Sequence, residues 1–267
     1  MTFVLFSRTK STISFFAGWV DNFNGPTGMI AGGGTGVLRT MLAKRECIAD
    51  IIPVDMAINV MVVAAWHMAT EKPNEMPIYN VTSGDTNPIT WGEIEDWALE
   101  SIRKFPFDTI LWYPGGASKR IGLYDRVCRY AFHYAPAILV DLIMIVLRKP
   151  RFLYKIVFKM TNSIEALSFF TTHQWSWSNK NLSQLHSALA KVDPKSLDTF
   201  DFDMKSLDWR DFLDQYVLGT RHYVLKNKPE TMPSSRKKMK VLYLLHLFVQ
   251  FSFAALLFKR ELLLSRF

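Results

Sequence analysis

The chain is organised around the apolar-rich stretch Ala49–Ala69, ADIIPVDMAINVMVVAAWHMA. Asp50–Val54 reads as a short buried strand ending in a turn. Asp55 follows where a helix N-cap belongs, its carboxylate placed to accept from the first free N–H groups. The helix after it is apolar nearly all round, interrupted only by Asn59 and His67, which predicts burial on most of its faces. A strand feeding an interior helix is a unit of an α/β domain. A second unit follows. Ile78–Thr82 is a β-type run, and Thr90-Trp91-Gly92-Glu93 has the form of a capping box. The helix it opens places Ile94, Trp97, Ala98 and Ile102 on one face.

Beyond Ile102 the pattern becomes helical. Trp112-Tyr113-Pro114-Gly115-Gly116 marks a turn with aromatic cover. Helices are predicted at about Leu123–Arg148, Phe152–Phe170, Leu182–Lys191 and Trp209–Lys226, with a short extended segment around Trp175 and Trp177. Asp193-Pro194 is an N-cap followed by a proline at the first helical position, and Asp208 caps the last of these helices. Trp209, Phe212 and Tyr216 share a face, as core residues do. A domain boundary near residue 105 separates the α/β part from the helical part. At the other end, Gly18–Gly36 is glycine-rich and reads as a flexible turn beside a pocket. Its Gly32-Gly33-Gly34-Thr35-Gly36 is no phosphate cradle, because the preceding GWVDNFN has little strand character. Met1–Phe16 reads as a poorly ordered start foreign to the fold, a transit peptide being the lesser reading.

Charge changes the picture at the C-terminal end. The 267 residues carry a net charge of +8, and ten of the 32 Lys and Arg, against two of the 24 acids, lie from Arg221 onward. The first 220 residues therefore hold 22 of each sign and are neutral. A basic tail fits nucleic acid or a membrane surface. The same tail holds the most apolar run, VLYLLHLFVQFSFAALLF at Val241–Phe258, so membrane lipid is the expected partner and nucleic acid is not. Those 18 residues make a helix roughly 27 Å long, near the hydrocarbon thickness. Arg236, Lys237, Lys238 and Lys240 precede it and Lys259 and Arg260 follow, favouring a cytosolic N-terminal side. Ala131–Leu147 is also apolar, but Pro136 and Asp141 interrupt it, which predicts a buried or interfacial helix.

Recognisable chemistry is sparse. Six scattered histidines form neither H-x-x-x-H nor H-E-x-x-H, and no G-x-S-x-G elbow is present. Cys47 and Cys128 lack metal-type spacing and fit a reducing compartment. Asp201 with Asp203 lies in a polar turn.

Several stretches in order carry a resemblance: GWVDNFNGPTG (18–28), VLRTM (37–41), ADIIPVDMAIN (49–59), IYNVTSG (78–84), ITWGE (89–93) and LWYPGG (111–116). THQWSWSNKNL and DFDMKSLDWRDFLDQYVLGTRHYVLK extend it. The chain resembles the alcohol-forming fatty acyl-CoA reductases, most closely the insect-type members, from about Gly18 to Lys240. The resemblance implies an α/β part of Rossmann type, from the extended short-chain dehydrogenase/reductase group, followed by a mostly α-helical C-terminal domain. Residues 1–17 are unmatched, 18–105 correspond to the end of the reductase α/β domain, 106–240 to the helical domain, 241–258 to a transmembrane helix and 259–267 to a tail. It implies reduction of a long-chain acyl-CoA to a fatty alcohol with NADPH. In that family a glycine-rich loop holds the pyrophosphate and a Tyr-x-x-x-Lys pair supplies the proton. Both precede the GWVDN segment, and none of the nine tyrosines here has lysine four residues on. Hence no catalytic or cofactor-binding residue is expected, NADPH is not expected to bind this polypeptide alone, and activity is expected to be missing. Asn22, Asn24, Gly25, Thr27 and Gly28 are the expected substrate-binding residues, in a loop that follows the family's catalytic region. A homo-oligomer or a full-length relative is the expected protein partner. Single-pass insertion into the endoplasmic reticulum or peroxisome, with the bulk facing the cytosol, completes the expectation. A non-catalytic membrane-anchored remnant that binds a partner or lipid is the alternative.

Overall fold

In a computed structural model the protein is described over residues 3–5 and 18–264. The first part runs β1 (Phe3–Leu5), α1 (Pro26–Thr35), β2 (Thr40–Leu42), β3 (Ile51–Pro53), α2 (Val54–Glu71), α3 (Trp91–Lys104) and β4 (Ala117–Lys119). The strands form two parallel pairs. β1 lies beside β3 with Phe3 opposite Ile51, and β2 beside β4 with Thr40 opposite Ala117. Parallel pairing joined by helices is the α/β signature. Part of the amino-terminal segment therefore belongs to the fold: Phe3–Leu5 pairs with β3 instead of standing apart from it.

Several local expectations hold. β3 and α2 follow one another as the apolar pattern predicts. Thr90 caps α3 through the Glu93 N–H, and the Glu93 carboxylate accepts from the Thr90 N–H at 2.9 Å. Others do not. The N-cap of α2 is Pro53, and Asp55 sits inside the first turn. Nor is α2 buried on most faces. Met56, Ala57, Val60 and Val63 face the core, while Ile58, Met61 and Val62 are exposed, because α2 packs on β1, β3 and α7 and those lie to one side. Ile78–Thr82 forms no strand. Among the described residues no strand runs beside it, and side-chain amides serve its backbone instead: Asn181 donates to the Ile78 carbonyl at 2.8 Å.

The glycine-rich stretch is the largest correction. Residues 18–25 remain without regular structure, but Pro26–Thr35 is helix α1, although glycine costs about 1 kcal/mol against alanine at each helical position. Close packing explains the choice. A Cβ on Gly34 would stand 2.1 Å from the Phe107 ring, and one on Gly32 would stand 3.1 Å from both Leu38 and Met160. Gly36 ends the helix at φ +77° in the left-handed conformation that glycine accepts freely.

The second part is helical: α4 (Gly122–Arg129), α5 (Ala135–Val146), α6 (Leu153–Thr172), α7 (Lys180–Val192), α8 (Ser196–Thr199), α9 (Trp209–Gly219) and α10 (Met232–Leu264). A π-helical turn at Tyr130–Tyr134 joins α4 to α5, and another at Thr220–Val224 follows α9. Asp193 closes a turn onto Lys195 and Ser196 instead of capping a long helix. Asp208 caps α9 as expected, accepting from the Arg210 and Asp211 N–H groups. One core spans residue 105. α3 packs on α9, and Ile51, Ile52, Ile102, Phe107, Leu213 and Tyr216 join in a single cluster. Two helical stretches, Gly122–Val146 and Pro229–Leu256, are long and apolar enough to cross a membrane. Most residues of the first are solvent-facing, which removes the buried half of the expectation of a buried or interfacial helix there.

Candidate functional site

Helix α1 starts at Gly25, whose φ is +58°, followed by Pro26. Proline loses nothing there, since the first N–H groups of a helix have no partner within it. The five expected substrate-binding residues lie on or just before this start, and the structure separates them. Asn22 and Asn24 are exposed. The Asn22 amide donates to Asp21 and its oxygen accepts the Asn24 N–H at 2.8 Å, so that turn closes on itself. Thr27 is buried, with its hydroxyl 2.7 Å from the Tyr216 hydroxyl. Gly28 has no room for a side chain, because a Cβ would lie 2.5 Å from the Phe23 carbonyl oxygen. Thr27 and Gly28 thus serve packing, and Gly25 serves the turn.

Behind this helix start lies a cleft of about 100 Å³ between α1, β2, α3 and α9. Its walls are apolar, with Ile30, Met41, Ile94 and Leu213 among them. The volume is below the roughly 300–1,000 Å³ of a site that encloses a whole small ligand, so the cleft suits one segment of a longer one. Tyr216 also lines it. Burial holds the Tyr216 phenol well above its ordinary pKa, against the smaller opposing effect of the Thr27 hydrogen bond, so it stays protonated.

Two charged residues reach the wall. Glu95 is spent locally: it accepts from the Ser118 hydroxyl at 2.6 Å and pairs with Arg45 at 3.1 Å. Arg39 is different. Its guanidinium donates to the Tyr113 carbonyl at 2.7 Å, and among the described residues no carboxylate pairs with it. Burial lowers its pKa, yet a guanidinium keeps its proton. Its backbone N–H donates to His133 Nε2 at 2.8 Å, which docks the π-turn onto β2. Sequence reading missed Arg39 and the cleft. The available signal was a lone cation in the apolar run VLRTML.

Gly32, Gly33 and Gly34 offer no cradle for a dinucleotide's pyrophosphate. A pyrophosphate cradle needs glycines in a loop with free backbone N–H groups, and here Gly32, Gly33 and Gly34 lie inside α1. No step is therefore assigned to a nicotinamide on these residues. Among the described residues no group of His, Cys, Asp or Glu could hold a metal ion.

Two family models, both described as male sterility protein, match the chain: an NAD-binding model over residues 8–61 and a second over residues 132–227. The first match agrees with a Rossmann-like fold, as does the parallel β1–β3 pair leading into α2. Fatty acyl-CoA reductase 1 of Xenopus laevis is 36% identical over 228 residues, covering 85% of this chain and 44% of the relative. Fatty acyl-CoA reductase 1 of Homo sapiens is 33% identical over 228 residues, with the same two shares. Fatty acyl-CoA reductase 2 of Homo sapiens is 32% identical over 252 residues, covering 94% of this chain and 48% of the relative. The chain belongs to the fatty acyl-CoA reductase family. It spans about half the length of the curated relatives it matches.

Proposed function

We propose that this chain carries the acyl-binding portion of a fatty acyl-CoA reductase, an enzyme converting a long-chain acyl-CoA and NADPH to a fatty alcohol and CoA. The observation that carries this reading is the apolar cleft with Arg39 as its unpaired cation. An acyl-CoA joins an apolar chain to a polyanionic carrier, so apolar walls beside a cation match both of its ends. Titration calorimetry of the chain with a long-chain acyl-CoA tests it. Arg39→Gln is expected to weaken binding about tenfold, or roughly 1.4 kcal/mol, and Arg39→Lys to restore part of the loss. Equal affinity in all three proteins sinks the assignment.

The exposed amides Asn22 and Asn24 belong to the same proposal, as groups that meet the thioester or pantetheine when the remaining part of the enzyme is joined. Asn24→Ala in a chimera with the N-terminal half of a relative should then raise KM or lower kcat. Unchanged values leave Asn22 and Asn24 a surface turn.

On its own, this 267-residue polypeptide should not oxidise NADPH in the presence of acyl-CoA. The glycines inside α1 favour that reading over a self-sufficient enzyme, and they equally suit a membrane-anchored protein without activity. NADPH loss above a protein-free control refutes it. The apolar run of α10 is proposed as a single span, with the body on the cytosolic side. Carbonate washing should leave the full chain on membranes and release a version ending at Lys240.

A further inference from the structure

Helices α5 and α6 form an antiparallel hairpin whose apolar outer face no other element covers among the described residues. Its inner side is packed: Ala137, Val157, Thr161 and Ile164 are all buried. Its outer side shows Leu139, Leu142, Ile143 and Val146 of α5 and Ile156 and Phe158 of α6 to solvent, Val146 at 81% exposure. Contiguous apolar surface of this kind marks an interaction site.

One charge might have spoiled that face, and the fold removes it. Asp141 is the only ionisable residue in α5. It turns inward and accepts from the N–H groups of Phe152, Leu153 and Tyr154 at 3.0–3.2 Å. The carboxylate thereby closes the hairpin at the start of α6 and leaves the outer face of α5 uncharged.

The charges that remain have one sign. Residues 142–164 contain Arg148, Lys149, Arg151, Lys155 and Lys159 and no acid. None of the five forms a salt bridge among the described residues. Between the helices lies a groove of about 360 Å³, with Ile138, Leu142, Ile145, Phe152 and Tyr154 in its walls, Asp141 also in the lining but spent on the α6 N–H groups, and Arg151 and Lys155 beside them. Apolar walls next to cations match a lipid with an anionic headgroup better than they match water or a neutral protein surface.

Placement agrees. The backbone N–H of Arg39 holds His133 just before α5, and its guanidinium holds the Tyr113 carbonyl. The Tyr113 ring packs on Tyr243 and His246 of α10, at 5.0 and 5.7 Å between centroids. The hairpin and the apolar run of α10 therefore leave the body beside the same residue, which also lines the apolar cleft.

We propose that the α5–α6 hairpin lies in the interface of a membrane containing anionic lipid, as a second seat beside α10, with the cleft opening toward the lipid. The hairpin does not cross the bilayer. The helical stretch Gly122–Val146 is long enough to cross, but Asp125, Cys128, His133, Ala137 and Asp141 along it are buried against protein, so lipid does not surround it.

The test uses the full chain reconstituted in vesicles. Cys47 and Cys128 are buried, so a Val146→Cys variant takes an environment-sensitive fluorophore at the hairpin tip. Phe251→Cys places the same probe on α10, and Ser187→Cys places it on the outer side of α7 as an aqueous control. Spin-labelled lipid should quench the Val146 probe in vesicles containing phosphatidylserine and leave the Ser187 probe bright. Arg148, Lys149 and Arg151 replaced together by Ser should lower the docked-to-undocked ratio by roughly fivefold per cation removed. A bright Val146 probe beside a quenched Phe251 probe overturns the proposal while sparing the α10 anchor. A bright Phe251 probe overturns the anchor alone, since the hairpin is read separately at Val146. Cross-linking of two Val146→Cys copies without quenching assigns the face to a second copy and overturns it. Equal quenching in neutral vesicles overturns the role of the cations.

Discussion

Helices α9 and α10 follow one another in the chain and treat their apolar residues in opposite ways. α9 is amphipathic and buries Trp209, Phe212, Leu213, Tyr216 and Val217. α10 exposes Leu244, Phe248, Phe251 and Phe253 along its apolar run. A periodic stripe identifies the one face that a neighbouring element covers. A helix apolar all round defines no such face. The junction between the two is polar and fixed. Arg221, 3% exposed, donates to the Pro106 and Lys228 carbonyls and pairs with Asp108 at 2.8 Å. Asp108 also accepts from Ser235, in the first turn of α10. The base of the apolar helix is thus bolted to the body, and its far end is not.

That contrast can be broken by the same change made in both helices. Phe212→Ala should cost about 4 kcal/mol, because a buried ring leaves a cavity that the core fills only in part. Denaturant unfolding in detergent measures it. A loss under 1 kcal/mol would mean that α9 is not held as described.

Asp108→Asn should cost about 3 kcal/mol, since it leaves the buried Arg221 guanidinium without a carboxylate. The effect depends on pH. Burial would raise the Asp108 pKa, but hydrogen bonds from Ser235 and Thr231 and the Arg221 charge together carry it below the ordinary carboxylate value. A depressed carboxylate contributes stability that is present above its unfolded pKa, about 4, and is lost as pH falls through the folded value. Wild-type stability should therefore decline below about pH 4 more steeply than that of the Asn variant. Parallel curves would remove Asp108 from the junction.

Thr27→Val deletes the hydroxyl that meets Tyr216 and should cost about 1 kcal/mol, read by the same unfolding assay. Smallest of all is Phe251→Ala, the counterpart of the first change. Phe251 is 69% exposed, and its loss should shift body stability in detergent by less than about 0.5 kcal/mol. A larger shift would mean that the outer part of α10, at Phe251, packs on protein.

Much of the fold was legible where the determining physics is local. The Thr90–Glu93 capping box, the Asp208 cap and the Trp209–Phe212–Tyr216 stripe each rest on residues within two turns of one another, and each is realised. The candidate site was hardly legible. Asn22, Asn24, Gly25, Thr27 and Gly28 were singled out as a loop, yet only the first two face solvent without a burial role. The cleft draws its walls from α1, β2, α3 and α9, and no local pattern joins segments so far apart.

What the sequence by itself determined, then, is family membership, the capped and amphipathic helices, and the uniformly apolar run with basic flanks. Each depends on residue identity or on a spacing within one element. Tertiary structure alone decided that residues 26–35 form a helix in which Gly32 and Gly34 make room for Leu38, Met160 and Phe107. It alone decided that Asp141 turns inward to close a hairpin, and that Arg39, with no carboxylate beside it among the described residues, stands at an apolar wall. A side chain's partner is set by which distant segments the core brings together, and that information is spread over the whole chain.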